Sequence, residues 1–206
     1  MEETNIIEVE EKKLLSEPKK KIEVAREVIP MDKLMEMADM LSKSNILPVM
    51  YQRRPENCFV ALDMASRMGV SPMIVMQNLD VIQGKPSWRG SAIASMVRTS
   101  KQFTNVELNF VGEEGKDSWG AYVSATRVSN GKIVKGSKVT IAMAKKEGWY
   151  QKGGSKWQTM PELMLSYRAY AFFGRVYCPE IMMGLQSAEE VEDVTTKKTV
   201  SNPYVK

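Results

Sequence analysis

Two prolines bracket the longest helical pattern in the chain and fix where it can begin and end. The stretch TMPELMLSYRAYAFFGRVYCP runs from Thr159 to Pro179. Pro161 suits a first turn, where the N–H it lacks has no helical partner to lose. Thr159 is placed to accept from a first-turn N–H, and Glu162, three residues on, to reach back to it. Pro179 disfavours helical geometry in the residue ahead of it. The signals predict a helix from about Met160 to Tyr177. Leu163, Met164, Tyr167, Ala171 and Gly174 form a face fit for burial. Arg168, Phe172 and Arg175, spaced i, i+4, i+7, share a neighbouring face.

Ahead of this helix lies a basic loop with aromatics set into it. Lys145, Lys146, Lys152 and Lys156 surround Trp149, Tyr150 and Trp157. Cations at that density neutralise phosphates, and flat rings among them stack on unpaired bases. The competing reading makes Trp149 and Trp157 core anchors and the lysines a solvated rim. Between Arg127 and Lys156 stand eight basic residues and one acid, Glu147. That segment therefore carries +7 and the remainder −3, for a net of +4. A positive middle between near-neutral or acidic flanks points to a local polyanion site.

The 206 residues contain no histidine. The usual general base, the Ser/His and Cys/His nucleophile pairs and most zinc sites are thereby excluded. Cys58 and Cys178 are isolated in sequence and read as reduced residues of a cytosolic protein. The opening MEETNIIEVEEKK is acidic and lacks the apolar core of a secretory signal. No apolar run is long enough for a membrane span.

Along the chain, residues 1–30 read as a mobile charged arm. Leu34, Met37, Ala38 and Leu41 mark a helix over 31–44, with Asp32 as a candidate N-cap. Arg53, Arg54 and Pro55 form a linker. A second helix covers 56–68 and stops at Gly69; Ser71 and Pro72 open a third, short one. Residues 80–88 read as a strand broken by a turn at Gly84, Lys85 and Pro86. Residues 90–99 return to helix, with Ile93, Met96 and Val97 facing inward. Arg98 and Lys101 point out, as a wall of a binding site or as a solvated helix end. Strands follow over 105–111 and 119–128, a hairpin turn at Asn130-Gly131, and a short strand over 138–142. The expected class is α+β: a small antiparallel sheet of about three strands on a long helix, with additional N-terminal helices. The expected organisation is one core over 31–184 and a flexible tail over 185–206.

The segments GWY, KW and MPELMLSYRAYAFFGR, followed by an acidic stretch, resemble the C-terminal core of the RecT/Redβ phage single-strand annealing proteins. MASRMGVSP, a strand and PSWRGSAIASMV resemble the N-terminal half of that core. The likeness covers about Met31 to Val194. It implies binding of single-stranded DNA and ATP-independent pairing of complementary strands through an annealed duplex intermediate. It implies homo-oligomeric rings or helical filaments acting in the cytoplasm of a bacterial host. No catalysis, membrane or cofactor is implied, with Mg2+ only as a modulator of DNA binding. Arg168 and Arg175 stand where the family's helix presents basic residues to the DNA backbone, and Lys145, Lys146 and Lys156 match its basic loop. Ser166 stands where relatives often carry another base. Relatives often contact a phage exonuclease or the host single-strand binding protein through a C-terminal module, of which residues 185–206 are expected to hold at most a short form.

Two other readings stay open. A protein that coats single strands without annealing them would use the same contacts. A metal-dependent nuclease would draw on Asp80 and the Glu114-Gly115-Lys116 turn, an acid–acid–lysine set that needs its carboxylates rigidly converged.

Overall fold

Residues 29–194, with the exception of Gln83, are described in a computed structural model of the chain. Helix α1 (Met31–Ser42) packs against α2 (Pro55–Met68), which turns through Gly69 into α3 (Pro72–Asn78). Gly69 closes α2 at φ 67°, the left-handed geometry that a side chain would oppose. The N-cap of α1 is Pro30, and Asp32 lies in the first turn without a capping bond.

A hairpin of β1 (Leu79–Ile82) and β2 (Lys85–Trp88) leads into α4 (Gly90–Thr99). Strands β3 (Phe103–Val111) and β4 (Gly120–Arg127) then form the antiparallel centre of the main sheet. Both β5 (Ile133–Lys135) and β6 (Val139–Thr140) add to β4, so this sheet has four strands. The alternation along β4 turns Ala121, Val123 and Ala125 into the core and leaves Tyr122, Ser124 and Thr126 half-buried on the outer face. Gly120 is needed where β6 crosses, because a Cβ there would lie 2.3 Å from the carbonyl oxygen of Val139.

After α5 (Ile141–Lys146) and the single turn α6 (Lys156–Thr159) comes the long helix α7 (Pro161–Tyr177). It is packed between α4 on one side and β4 on the other. Leu165, Ala169, Ala171 and Phe173 are fully buried, and Phe173 meets Phe103 edge-on at 5.4 Å. The sheet, α4 and α7 thus share one core, and the fold is α+β.

The start of α7 differs from expectation. Residues 156–159 form their own turn, capped by Ser155, whose hydroxyl accepts from the Trp157 N–H. Thr159 is therefore already helical, and the N-cap of α7 is Met160, with no side-chain capping bond. The expected Thr159–Glu162 capping box does not form.

The larger departure is at the C-terminal side. After α8 (Pro179–Met182), strand β7 (Gln186–Ser187) pairs in parallel with β2, making a second, three-stranded sheet. Helix α9 (Ala188–Val194) then lies against α7. Residues 185–194, expected as tail, are ordered parts of the fold. The reason is a capping box within the sequence Ser187-Ala188-Glu189-Glu190. The Glu190 N–H donates to Ser187 Oγ at 3.1 Å, and the Ser187 N–H donates to Glu190 Oε2 at 3.0 Å. The expected arm over 1–28 and the remaining 195–206 lie outside the described residues. Among the described residues, no single helix is long and apolar enough to cross a membrane.

Candidate nucleic-acid interface

Helix α9 carries four carboxylates, and each meets a donor. Glu189 accepts from the Gly90 N–H at the start of α4, at 3.0 and 3.1 Å. Glu190 accepts from Arg175 Nη2 at 2.5 and 2.6 Å and lies 3.8 Å from Arg168 Nη1. Glu192 lies 3.5 Å from Lys156 Nζ, and its backbone carbonyl accepts from Lys152. Asp193 accepts from Arg168 Nη2, and from the Trp157 indole N–H at 2.9 Å.

Arg168 is the centre of this group. Its side chain is 3% exposed, so the expectation of a solvent-facing phosphate contact is not met. The spacing argument holds in one respect: Arg168 and Arg175 share a helix face, since both reach Glu190. What the spacing could not reveal is that α9 covers that face. The guanidinium stacks over Trp149 at 4.0 Å and stands 5.8 Å from Trp157. Burial pulls its pKa below the usual arginine value, opposed by Glu190 and Asp193. Burial likewise raises the carboxyl of Asp193, opposed by the Trp157 N–H and Arg168. Such a group is stable only as a set, because removing one member leaves a buried charge uncompensated.

Trp149 and Trp157 are 7% and 0% exposed and lie 5.6 Å apart. They are core anchors here, as the competing sequence reading had it, and neither ring is open to a base. Lys152 is half-buried beneath α9, and Lys156 is exposed at its rim. Lys145 donates to Asp117 at 2.5 Å and lies over Tyr150, while Lys146 is exposed on the same short helix. The Asp117 bond raises the pKa of Lys145. Arg98 donates to the Tyr170 hydroxyl at 2.7 Å, and Lys101 is exposed in the turn before β3. Ser166 bonds back to the Glu162 carbonyl.

A second set of cations enters the sequence reading as part of the +7 segment, without being singled out as a site. Lys132, Lys135 and Lys138 are exposed on and beside β5, and none forms an ion pair among the described residues. Lys135 lies over Tyr122 at 5.9 Å on the outer sheet face. Arg127 is held between Phe103 and Tyr177 at 5.6 and 5.8 Å. The Val128 N–H donates to the Gln102 carbonyl, which ties the Lys101 turn to this end of the sheet. The signal in the sequence was the Asn130-Gly131 turn, after which a strand carrying Lys132 and Lys135 has to follow.

The acids of the nuclease reading are separated by function. Asp80 is held by Arg89 through two bonds of 2.9 Å, and Glu114 stands exposed in the turn between β3 and β4. Among the described residues, no three His, Cys, Asp or Glu side chains are grouped to hold a metal.

Comparison with protein-family models, with curated proteins and with solved structures finds no match.

Proposed function

We propose that the protein binds single-stranded DNA by neutralising its phosphates and promotes ATP-independent annealing of complementary strands, as a homo-oligomer in phage recombination. The observation that supports DNA binding is the row Lys132, Lys135 and Lys138, exposed along one sheet edge with no acid paired to it among the described residues. Fully extended, that row spans at most about 20 Å, a length over which a single strand presents several phosphates. Such contacts hold the backbone without reading sequence, as pairing of arbitrary complementary strands requires. The step from binding to annealing rests on the order of the motifs GWY, KW and MPELMLSYRAYAFFGR and their likeness to the annealing family.

The test is annealing of two complementary labelled oligonucleotides, without ATP, over a salt series and beside a protein-free control. Acceleration that declines with salt is expected. Tight binding without acceleration would make this a coating protein, and no binding at low salt would overturn both.

A further inference from the structure

Half of the ten residues that the sequence marks for nucleic-acid contact are engaged by one seven-residue helix. Arg168, Arg175, Lys152, Lys156 and Trp157 each bond to residues 190–193 of α9. A carboxylate placed against a guanidinium fork or an ammonium makes the same charge-assisted bonds as a phosphate. Helix α9 therefore occupies the groups that a polyanion would need.

Besides its ion pairs, α9 is held by the buried side chains of Ala188 and Val191 and by strand β7 just ahead of it. Of its seven side chains, only Ala188, Glu190 and Val191 are buried, and Val194 is 75% exposed. Two clefts flank its C-terminal half. One, of about 870 Å³, is lined in part by Trp149, Gln151, Lys152, Gly153 and Asp193. The other, of about 370 Å³, is lined in part by Gly154, Lys156, Met164, Glu192 and Asp193. Asp193, Lys152 and Gly153 border both, and Asp193 also bonds to Arg168 and Trp157, so lifting it would uncover those two side chains between the clefts. A second observation points to a ligand there: the Nε of Arg168 is buried without a hydrogen-bond partner among the described residues, so the carboxylates leave one donor of the fork unused.

We propose that α9 is an internal competitor of nucleic acid, and that a single strand displaces it to reach a groove of Arg168, Arg175, Lys152, Lys156 and the two tryptophans. Its carboxylates stand in for phosphates. Displacement exposes two flat rings for stacking beside four cations, the combination that sequence-tolerant single-strand binding uses. This rests on the nucleic-acid reading above and adds to it a second contact surface and its control.

The test uses the full chain and a labelled oligo(dT) over a salt series, with the isosteric variant Glu190→Gln/Glu192→Gln/Asp193→Asn. The amides keep the shape of α9 and the hydrogen-bonding capacity of its cap. Affinity is expected to rise about tenfold or more, with a steeper salt dependence as freed cations meet phosphates. Because the triple change leaves Arg168 without a counter-charge and could unfold the protein, two further measurements stand beside it. Glu192→Gln alone, at the exposed rim, is expected to tighten binding about two- to threefold. In the unmodified protein, amide exchange over 188–194 is expected to quicken when oligo(dT) is added. Unmodified protein that binds, with Glu192→Gln binding equally and the 188–194 amides unchanged or slowed, overturns the competitor and leaves the DNA reading standing. If neither the unmodified protein nor Glu192→Gln binds at low salt, the DNA reading fails and the competitor with it.

Discussion

The guanidinium of Arg168 lies 4.0 Å from the ring centre of Trp149 while its Nη2 bonds to Asp193. Cation, ring and acid are packed together at the point where α7, the 147–155 loop and α9 meet. Arg168→Ala should lower unfolding free energy by about 3–5 kcal/mol, because Asp193 would remain buried without its cation and Glu190 would keep only Arg175. Arg168→Lys should recover only part of this, since an ammonium cannot bridge both acids and stack flat on the ring. Urea unfolding at neutral pH measures both. A loss below about 1 kcal/mol for the alanine variant would mean that the charge network contributes no more than a surface pair.

Tyr51 gives a pH test remote from the candidate interface. Its hydroxyl is buried without a hydrogen-bond partner among the described residues. Burial first, and then the charge of Asp80, push its pKa up from 10.0 to about 12. The unfolded chain therefore releases this proton before the folded one does. Its contribution is fully present below pH 10 and is lost as pH rises toward 12. Tyr51→Phe should remove that loss, so the stability of the unmodified protein should decline relative to the variant across the window. At neutral pH the variant should be about equal in stability or slightly better, having one fewer unpaired polar atom. Unfolding curves taken at neutral pH and at steps above pH 10 decide this. Parallel curves at every pH would mean that the hydroxyl finds a partner in solution.

Gly120 should be intolerant of any side chain. An added Cβ would meet the Val139 carbonyl oxygen at 2.3 Å and the Thr140 side chain at 2.8 Å, and the first of these is backbone that cannot rotate away. Gly120→Ala should cost about 1–3 kcal/mol or more by forcing β6 away from β4. The expected sign is a thermal midpoint lowered by several degrees. An unchanged midpoint would show that β6 shifts freely, and with it the chain leading into α5.

Local chemistry was readable wherever a residue type fixes its own backbone. Gly69 ends α2, Pro161 opens α7, and Asn130-Gly131 turns β4 into β5 because those residues permit or require that geometry. Helix α4 falls at residues 90–99, where its apolar spacing put it. Two features lay out of reach. The parallel pairing of Trp88 with Ser187 joins segments about a hundred residues apart, and no local signal announces it. The burial of Arg168 depends on what covers its face, which periodicity does not encode. A third feature is legible in the sequence. Ser187 and Glu190 carry the spacing of a capping box, which sets a helix start inside the segment expected as tail.

The row Lys132, Lys135 and Lys138 offers the most direct test of DNA contact, because it involves no buried group. Changing all three to glutamine should leave stability within about 0.5 kcal/mol, as for surface positions free of caps and buried pairs. It should weaken oligo(dT) binding alike for every base composition tested, since phosphates carry no sequence information. The slope of log affinity against log salt should fall by about 0.7 for each lysine that met a phosphate. Lys33→Gln, on the exposed side of α1, serves as the control and should change neither quantity. A triple variant with unaltered slope would place the DNA contact elsewhere, and the groove beneath α9 would then have to carry it. A slope reduced in full, together with unchanged exchange over 188–194 on adding oligo(dT), would put the contact on the sheet edge and leave α9 a purely structural clamp on Arg168.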